Sequence, residues 1–362
     1  MELENDDISM KVCMVSKIDE SVGGMASYTK VLAESLQLNS VNVENANIKE
    51  VFRINADLIH IQHEPLLYGL ILSILFPIFL ILIRLFKRKP IIITLHGIIK
   101  KEDIKDFAKE NDVKYPLILI KWMINFIFKY IVKFADLVIV HADCFRDWLV
   151  LQYGSDDSKI KVVPHGIWIQ NRIQMEHAKQ ILGYPGKKVA FTMGYLAKHK
   201  GLDELVEIFS KVEYMNTILI IGGSIPPRFK DNPTYKIYLN KLKQKAPENV
   251  KFKGFIPYKL LPTYFSATDL FIIPHKRRAS ASGPLCRAIG YGLPIIAYKN
   301  EVFRDYLPEF CLVNDLEKSI MQFLTHENIL TNAISWSESF AKSFSWERIA
   351  ILTKKIYMEI FQ

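Results

Sequence analysis

The chain has 362 residues, enough for about two domains of ordinary size, each with a real core. Half of the residues are hydrophobic and 23% are charged, which excludes a disordered or low-complexity chain. A formal net charge of +9 points to an anionic partner such as a nucleotide or lipid headgroup, while dispersed lysines without any DNA- or RNA-binding motif argue against nucleic acid.

Cys13, Cys144, Cys286 and Cys311 stand far apart without C-x-x-C spacing and read as reduced core thiols. The first nine residues, MELENDDIS, are acidic and polar, the reverse of the basic start of a secretory signal, so 1–10 reads as a loose tail. Lys11 to Ser16 is a short apolar strand, followed by a loop and a helix with apolar residues at Met25, Tyr28, Val31, Leu32 and Leu36. Gly23 and Gly24 therefore occupy a strand-to-helix turn, where a missing side chain lets a ligand approach the backbone. Asp57 to Gln62 is a second strand, ending at His63–Glu64. His60 and His63 lie three apart on it, point to opposite faces and cannot chelate one metal together.

Leu66 to Ile83 is the most hydrophobic run, uncharged until Arg84, and its length meets the soft threshold for a transmembrane helix. The next strand, Ile91 to Leu95, should lie parallel to Leu58–Gln62, and a crossover between parallel strands must return the chain to the same sheet. The run is therefore expected to pack on the sheet and lay surplus apolar surface into one leaflet without crossing. Pro116 to Phe134 supports this reading: Lys121, Asn125, Lys129 and Lys133 form one polar stripe, and with Trp122 the segment resembles an interfacial membrane helix. Asp136 to His141 is a strand, Ala142 to Tyr153 a helix, and Ile160 to Pro164 a strand ending at His165–Gly166. Near-continuous apolar strands alternating with helices imply a doubly wound parallel sheet. The polar stretch Trp168 to Gly186 marks a boundary between a first domain, 11–168, and a second, 169–344.

The pattern then restarts. Strands are expected at Lys188 to Met193, Thr217 to Ile221 and Val250 to Phe252, with helices at Leu202 to Val212, Tyr235 to Ala246 and Leu260 to Ala267. Asp269 to Ala297 follows as strand, small-residue loop, a helix opening at Pro284–Leu285, and a further strand. Such a helix N-terminus is the local grammar of an anion site: free N–H groups and the macrodipole favour negative charge, with Ser280 and Ser282 as hydroxyl donors and Gly283 permitting close approach. The tail, 345–362, carries apolar residues at helical spacing and can pack back on the first domain.

The motifs S-V-G-G-M-A, H-I-Q-H-E, T-L-H-G, V-V-P-H-G-I, G-Y-L-A-K-H-K-G, F-K-G-F-I-P and A-T-D-L-F-I-I-P followed by G-L-P-I-I-A occur in this order along nearly the whole chain. In that order the chain resembles the GT-B retaining glycosyltransferases of the large nucleotide-sugar-dependent family 4 type (glycosyl transferases group 1). The resemblance implies two Rossmann-like doubly wound α/β domains with a cleft between them. It also implies a nucleotide-sugar donor on the second domain, a lipid-linked or polysaccharide acceptor on the first, and no metal or other cofactor. Gly23 and Gly24 then approach the donor, and His96 matches a sugar- and acceptor-facing histidine. His63 and Glu64 fall on the acceptor side with it, and Lys200 contacts the diphosphate.

Two departures stand out. Gly194 is followed by Tyr195 where the family has arginine, leaving Lys198 as a substitute point charge beside Lys200. The family's glutamate pair, separated by seven intervening residues, falls on Ala279 and Arg287, and Arg287 has no acceptor. Ser280, Ala281, Ser282 and Gly283 match the S-x-S-G loop of some relatives, a variant phosphate cradle. A cation in the first turns of a helix opposes the dipole, so Arg287 is expected to face either the donor diphosphate or a carboxylate such as Glu301 or Asp305. The reading is a hexosyltransferase at the cytoplasmic face of a membrane, peripheral or monotopic. The alternative is a silent GT-B subunit that binds glycan or nucleotide and supports a partner enzyme; an epimerase of the same fold is a third option.

Overall fold

A computed structural model of the chain describes residues 10–16, 24–65, 70–211, 216–226, 229–276 and 282–362. It divides into two compact units: one runs to Gly166 and takes in Trp346–Gln362, and the other comprises Ile167–Arg278 with Ser282–Ser345.

The first unit is built from β1 (Lys11–Val15), α1 (Gly24–Gln37), β2 (Asn42–Ala46), β3 (Leu58–His63), α2 (Leu70–Lys87), β4 (Ile91–Leu95), α3 (Ile104–Glu110), α4 (Leu117–Phe134), β5 (Leu137–Val140), α5 (Asp143–Asp147) and β6 (Ile160–Val162). Its strands form one parallel sheet in the order β2-β1-β3-β4-β5-β6. Side chains alternate across a strand, and the register decides what each face holds. Gln62 lies beside Thr94, which lies beside Ile139, and Met14 lies beside His60. Met14, His60, Gln62 and Thr94 therefore share one face, and His96 and His141, each just past its strand, continue it. The opposite face is apolar: Ile59, Ile61, Ile93 and Val138 lie under α2 and α4, whose Phe76, Leu80, Ile83, Phe128 and Ile131 are buried.

α2 is described from Leu70, residues 66–69 of the apolar run lying outside the described residues, and it continues past Arg84 to Lys87. Its end is held by its charges: Arg84 reaches Asp136 at 2.8 Å, and Lys87 Nζ donates to the carbonyls of Phe52 and Ile54. These cations also suit the negative end of the helix dipole. Among the described residues, no helix is long and apolar enough to cross a membrane. One strand of this unit was not expected from the sequence, and one reading changes. Asn42–Ala46, too polar to read as a strand, pairs at the sheet edge, where Glu44 meets Lys11 at 2.9 Å. The helix expected over Ala142 to Tyr153 is α5 followed by a wider π-type turn, Trp148–Gln152.

The second unit contains α6 (Met175–Leu182), β7 (Lys188–Met193), α7 (Leu202–Lys211), β8 (Thr217–Gly222), α8 (Pro233–Lys245), β9 (Val250–Gly254), α9 (Leu261–Ser266), β10 (Leu270–Ile273), α10 (Gly283–Gly290), β11 (Ile295–Tyr298), α11 (Glu301–Arg304), β12 (Leu312–Val313), α12 (Leu316–Thr325) and α13 (Glu327–Ser343). The parallel sheet order is β12-β11-β10-β7-β8-β9. The strand order therefore reverses at β7, between β10 and β8, which is where doubly wound sheets open a ligand crevice at their C-terminal ends. Both units are thus doubly wound, the two-domain α/β architecture expected from the sequence. The polar stretch 168–186, read as a boundary, contains a helix, α6, because its one buried cation is paired. Lys179 is 4% exposed, with Nζ 3.0 Å from Asp269 and 3.2 Å from Glu176. Asp269 also accepts the Val189 N–H at 2.7 Å, so it fixes the start of β7 as well.

The chain then returns to the first unit as α14 (Trp346–Glu359), which packs against α1 and buries Ile349, Ala350, Thr353 and Tyr357. Gly166 is required there, since a Cβ would fall 2.4 Å from the Trp346 indole.

Removing Asp269 leaves Lys179 buried with only the exposed Glu176 for a partner. Asp269→Ala should cost roughly 3 kcal/mol, whereas Lys179→Met, which removes the buried charge itself, should cost much less. Urea midpoints at unchanged m value measure both; equal losses would place the cost in breaking the pair and not in the stranded Lys179 charge.

Candidate functional site

In the second unit three neighbouring strands end in glycine. Gly194 follows β7 with φ +142°, Gly223 follows β8 with φ +131°, and Gly254 closes β9 with φ +66°. They are bonded in sequence: Gly194 N–H donates to Gly222 O at 3.1 Å, and Gly223 N–H donates to Gly254 O at 2.6 Å. A Cβ on Gly223 would lie 1.8 Å from Gly194 O, so no side chain fits, whereas space around Gly254 is open. The C-terminal edge of the sheet is therefore bare backbone. A Cβ on Gly194 would stand 3.9 Å from the Pro284 ring, so α10 begins beside this edge. Gly201 (φ +70°) ends the turn that carries Lys198 and Lys200; a Cβ there would strike Pro274 O at 2.1 Å, which presses the lysine turn against the end of β10. Lys198 is exposed and Lys200 half-buried.

α10 opens one residue earlier than expected, at Gly283, because Ser282 is its N-cap. Ser282 Oγ accepts the Leu285 N–H at 3.3 Å, and the residue is 2% exposed. The hydroxyl expected to donate to a phosphate thus also accepts from the helix, keeping its own O–H, and Pro284 carries no N–H, so Gly283 offers the first-turn backbone donor. Arg287 is half-buried in the last turn of α10, and its guanidinium lies 5.1 Å over the ring of Tyr258, in the turn after β9. Gly23 and Ser280, together with Ala279, lie outside the described residues. Gly24 is the first residue of α1, with open space where a Cβ would stand.

In the first unit, β3, β4, β5 and β6 end at or just before His63, His96, His141 and His165. This repeated signal, a histidine at the close of each apolar strand, was available in the sequence but was used only at His63 and His96. The structure separates those two. His96 N–H pairs with His63 O at 2.9 Å, but their side chains take opposite faces. His63 is fully buried against Phe76 of α2, with ring centroids 4.5 Å apart, and Glu64 is half-buried beside it. His96 is 8% exposed and joins an aromatic cluster centred on Tyr28, whose ring lies 4.6 Å from His96, 4.9 Å from His165, 4.9 Å from Trp346 and 5.2 Å from His141. His60, on the same face, bonds Tyr357 and Thr94.

Burial holds these imidazoles neutral. It lowers His60 and His63 to about 3 and His141 to about 4, and His96, further disfavoured as a cation by the neighbouring histidines, falls well below its ordinary value. An open cavity of about 690 Å³ lies at the opposite, N-terminal end of the strands, lined by Arg84, Arg88, Lys161, Asp136 and Glu359. Its charges are largely matched among themselves, Arg84 with Asp136 and Lys161 with Glu359, so the histidine end remains the candidate site of this unit.

Residues 174–327 match the family Glycosyl transferases group 1, and residues 37–170 match Glycosyltransferase Family 4, one match on each unit. A mannosylfructose-phosphate synthase from Agrobacterium fabrum is 26% identical over 249 residues, covering 61% of this chain and 52% of that protein. The chain thus spans about half the length of that relative. Among solved structures, sucrose-phosphate synthase from Thermosynechococcus elongatus superposes with TM-score 0.77 at 16% identity, covering 97% of this chain and 99% of that one. Anabaena HepE in complex with UDP-glucose gives TM-score 0.73 at 15% identity, covering 97% and 100%.

The neutral histidines make acid sensitivity calculable. Their folded pKa values lie below the unfolded value of about 6.5, so the unfolded chain binds protons first as pH falls. Stability should be constant above about pH 6.5 and fall towards pH 4 by about 1.4 kcal/mol per pH unit for each buried histidine. Urea midpoints across that window should show a slope equal to several protons; a flat profile would mean that the rings are charged or solvated.

Proposed function

We propose that this chain, a GT-B glycosyltransferase by the families its two units match, moves a hexose from a nucleotide-sugar to a lipid-linked or polysaccharide acceptor, with retention and without a metal. The observation that carries the reading is the glycine edge of β7, β8 and β9 beside the lysine turn and the start of α10. Bare backbone lets a diphosphate come within hydrogen-bond distance, and two cations with a helix N-terminus offset the charge that develops on it as it leaves. The UDP-glucose complex of HepE, a protein of the same fold, supports a nucleotide-sugar as the donor class. His96 and Glu64 stand for the acceptor side of the first unit, and no protein nucleophile is invoked, in keeping with front-face retention.

Lys200 closes a single short turn, Lys198–Lys200, outside the sheet and its packed helices, so Lys200→Ala should leave the melting temperature nearly unchanged. Transfer should fall to a few per cent, about 2 kcal/mol of transition-state stabilisation, and EDTA should not lower wild-type turnover. A panel of UDP, GDP, ADP and their sugar conjugates, read by thermal shift, identifies the donor. Stabilisation by none of them would favour the silent-subunit reading, which Arg287 over Tyr258, in place of a glutamate, otherwise keeps in contention.

The surface of α4 favours a lipid-linked acceptor at a membrane over the soluble phosphosugars that the names of the synthase relatives suggest. Trp122, Phe126, Tyr130 and Phe134 stack along it at helical spacing, Ile118 is 77% and Trp122 59% exposed, and exposed Lys121, Lys129 and Lys133 run alongside. α2 adds exposed Leu75, Ile78 and Leu82. An apolar and aromatic face rimmed by lysine suits monotopic contact with an anionic, cytoplasmic leaflet. The double variant Ile118→Ser, Trp122→Ser should reduce flotation with anionic vesicles by about tenfold. Carbonate should release the wild-type protein; its retention in the pellet would indicate an integral protein, and no flotation at all would remove the membrane from the account.

A further inference from the structure

On the polar face of the first sheet, a continuous line of hydrogen bonds runs from the last helix to β6. Tyr357 Oη lies 2.6 Å from His60 Nδ1, and His60 Nε2 lies 2.7 Å from Thr94 Oγ1 and 3.2 Å from the Gln62 amide. Gln62 lies 2.9 Å from His96 Nε2, His96 Nδ1 lies 3.2 Å from His141 Nε2, and His141 Nδ1 lies 2.9 Å from the Val163 carbonyl.

One end of this line is chemically fixed. A carbonyl only accepts, so His141 carries its proton on Nδ1 and, when neutral, presents a lone pair at Nε2. His96 must then donate from Nδ1, which leaves its own Nε2 as a lone pair. With its oxygen towards His96, Gln62 could bond only to an Nε2–H, and that second proton would make a cation among three other imidazoles in the interior. With the amide turned by half a rotation, which exchanges oxygen and nitrogen in place, its NH₂ meets the lone pair. The turned amide gives up Met14 Sδ, a weak acceptor at 3.2 Å, and its oxygen then accepts from His60 Nε2–H.

We infer that Gln62 is a positioning residue that sets the tautomer of His96, donating to His96 Nε2 and accepting from His60, so that every bond from Tyr357 to Val163 points the same way. His60 then accepts from the Tyr357 hydroxyl at Nδ1, and no member of the line needs a charge. The use of this arrangement rests on the glycosyltransferase reading: His96 offers a substrate hydroxyl a lone pair at Nε2 and no proton, and a hydroxyl that reaches it replaces Gln62 as the donor.

The test is a long-range ¹H–¹⁵N correlation spectrum of the full chain carrying ¹⁵N-histidine, at neutral pH, with the His96 signals identified by their loss in His96→Gln. The expected result is a protonated Nδ1 and an unprotonated, pyridine-type Nε2. A proton on Nε2, or on both nitrogens, overturns the assignment. Gln62→Glu, when its carboxylate is ionised and so only accepts, should convert His96 to the doubly protonated form; a folded Gln62→Glu protein whose new carboxylate is ionised by its ¹³C shift, and whose His96 keeps the wild-type tautomer, would also overturn it. If that variant does not fold, the wild-type spectrum still decides. The spectrum is read without turnover, so an inactive protein would count against the transfer reaction and leave the tautomer assignment standing.

Discussion

Burial without charge is the constraint on which the first unit depends. The strand Leu58–His63 places His60 and Gln62 on one face and Ile59, Ile61 and His63 on the other, and both faces are covered. A buried polar side chain costs little only when it is bonded, and a buried imidazole keeps its neutrality by giving up its proton affinity. The sheet meets both conditions by setting polar groups of neighbouring strands at matched register, so that Thr94, His96 and His141 come within reach of the residues of β3. The opposite face is apolar apart from His63, which lies against Phe76, and α2 and α4 cover it.

The second unit solves a different problem with backbone. Where the first unit crowds rings against the ends of its strands, the second removes side chains from three strand ends in succession, and a dihedral angle of +131° with a backbone oxygen in the way leaves Gly223 no substitute. The contrast matches the division of labour proposed for them. A diphosphate needs close, unobstructed donors, whereas sugar and acceptor hydroxyls need side chains held at fixed orientation. Arg287 fits neither scheme as inherited. Over Tyr258 it gains about 0.5–1 kcal/mol from the ring at a partly exposed site, and because α10 ends at Gly290 it stands in the last turn, where the helix dipole favours a cation and does not oppose it as the sequence suggested.

The sequence made the architecture legible because the strands are nearly unbroken apolar runs, and such runs alternating with helices admit few topologies. Polar or weakly patterned elements escaped: Asn42–Ala46 pairs along an edge, and α13 fills its length with Asn, Ser and Glu while only Ala333, Ser337, Phe340 and Ala341 are buried. α6 escaped because Lys179 looks like a surface residue until Asp269, ninety positions later, is seen beside it. Candidate residues were legible where a motif names its own residue, as at His96 or Lys200. Their partners distant in sequence were not: Tyr258 under Arg287, Gln62 between two histidines, Tyr357 297 positions from His60. The capping role of Ser282 was not legible because a serine before a helix reads equally as a ligand donor and as a cap, and the bond from Leu285 shows the cap.

The placement of α14 has a consequence for how the protein is made. The first unit cannot be completed from its own contiguous segment, since Tyr357 and Trp346 close over the polar face while residues 167–345 belong to the other unit. At about 5–20 residues per second, roughly 180 residues take about 10–40 s to translate after β6 leaves the ribosome. During that interval the face that bears His60, Gln62, His96 and His141 lacks its cover, and the nascent unit must wait with these imidazoles wet and open to protonation. The second unit, continuous in sequence, can fold first. Synthesis therefore runs from the N-terminus, but the last helix decides when the earlier half of the molecule becomes native.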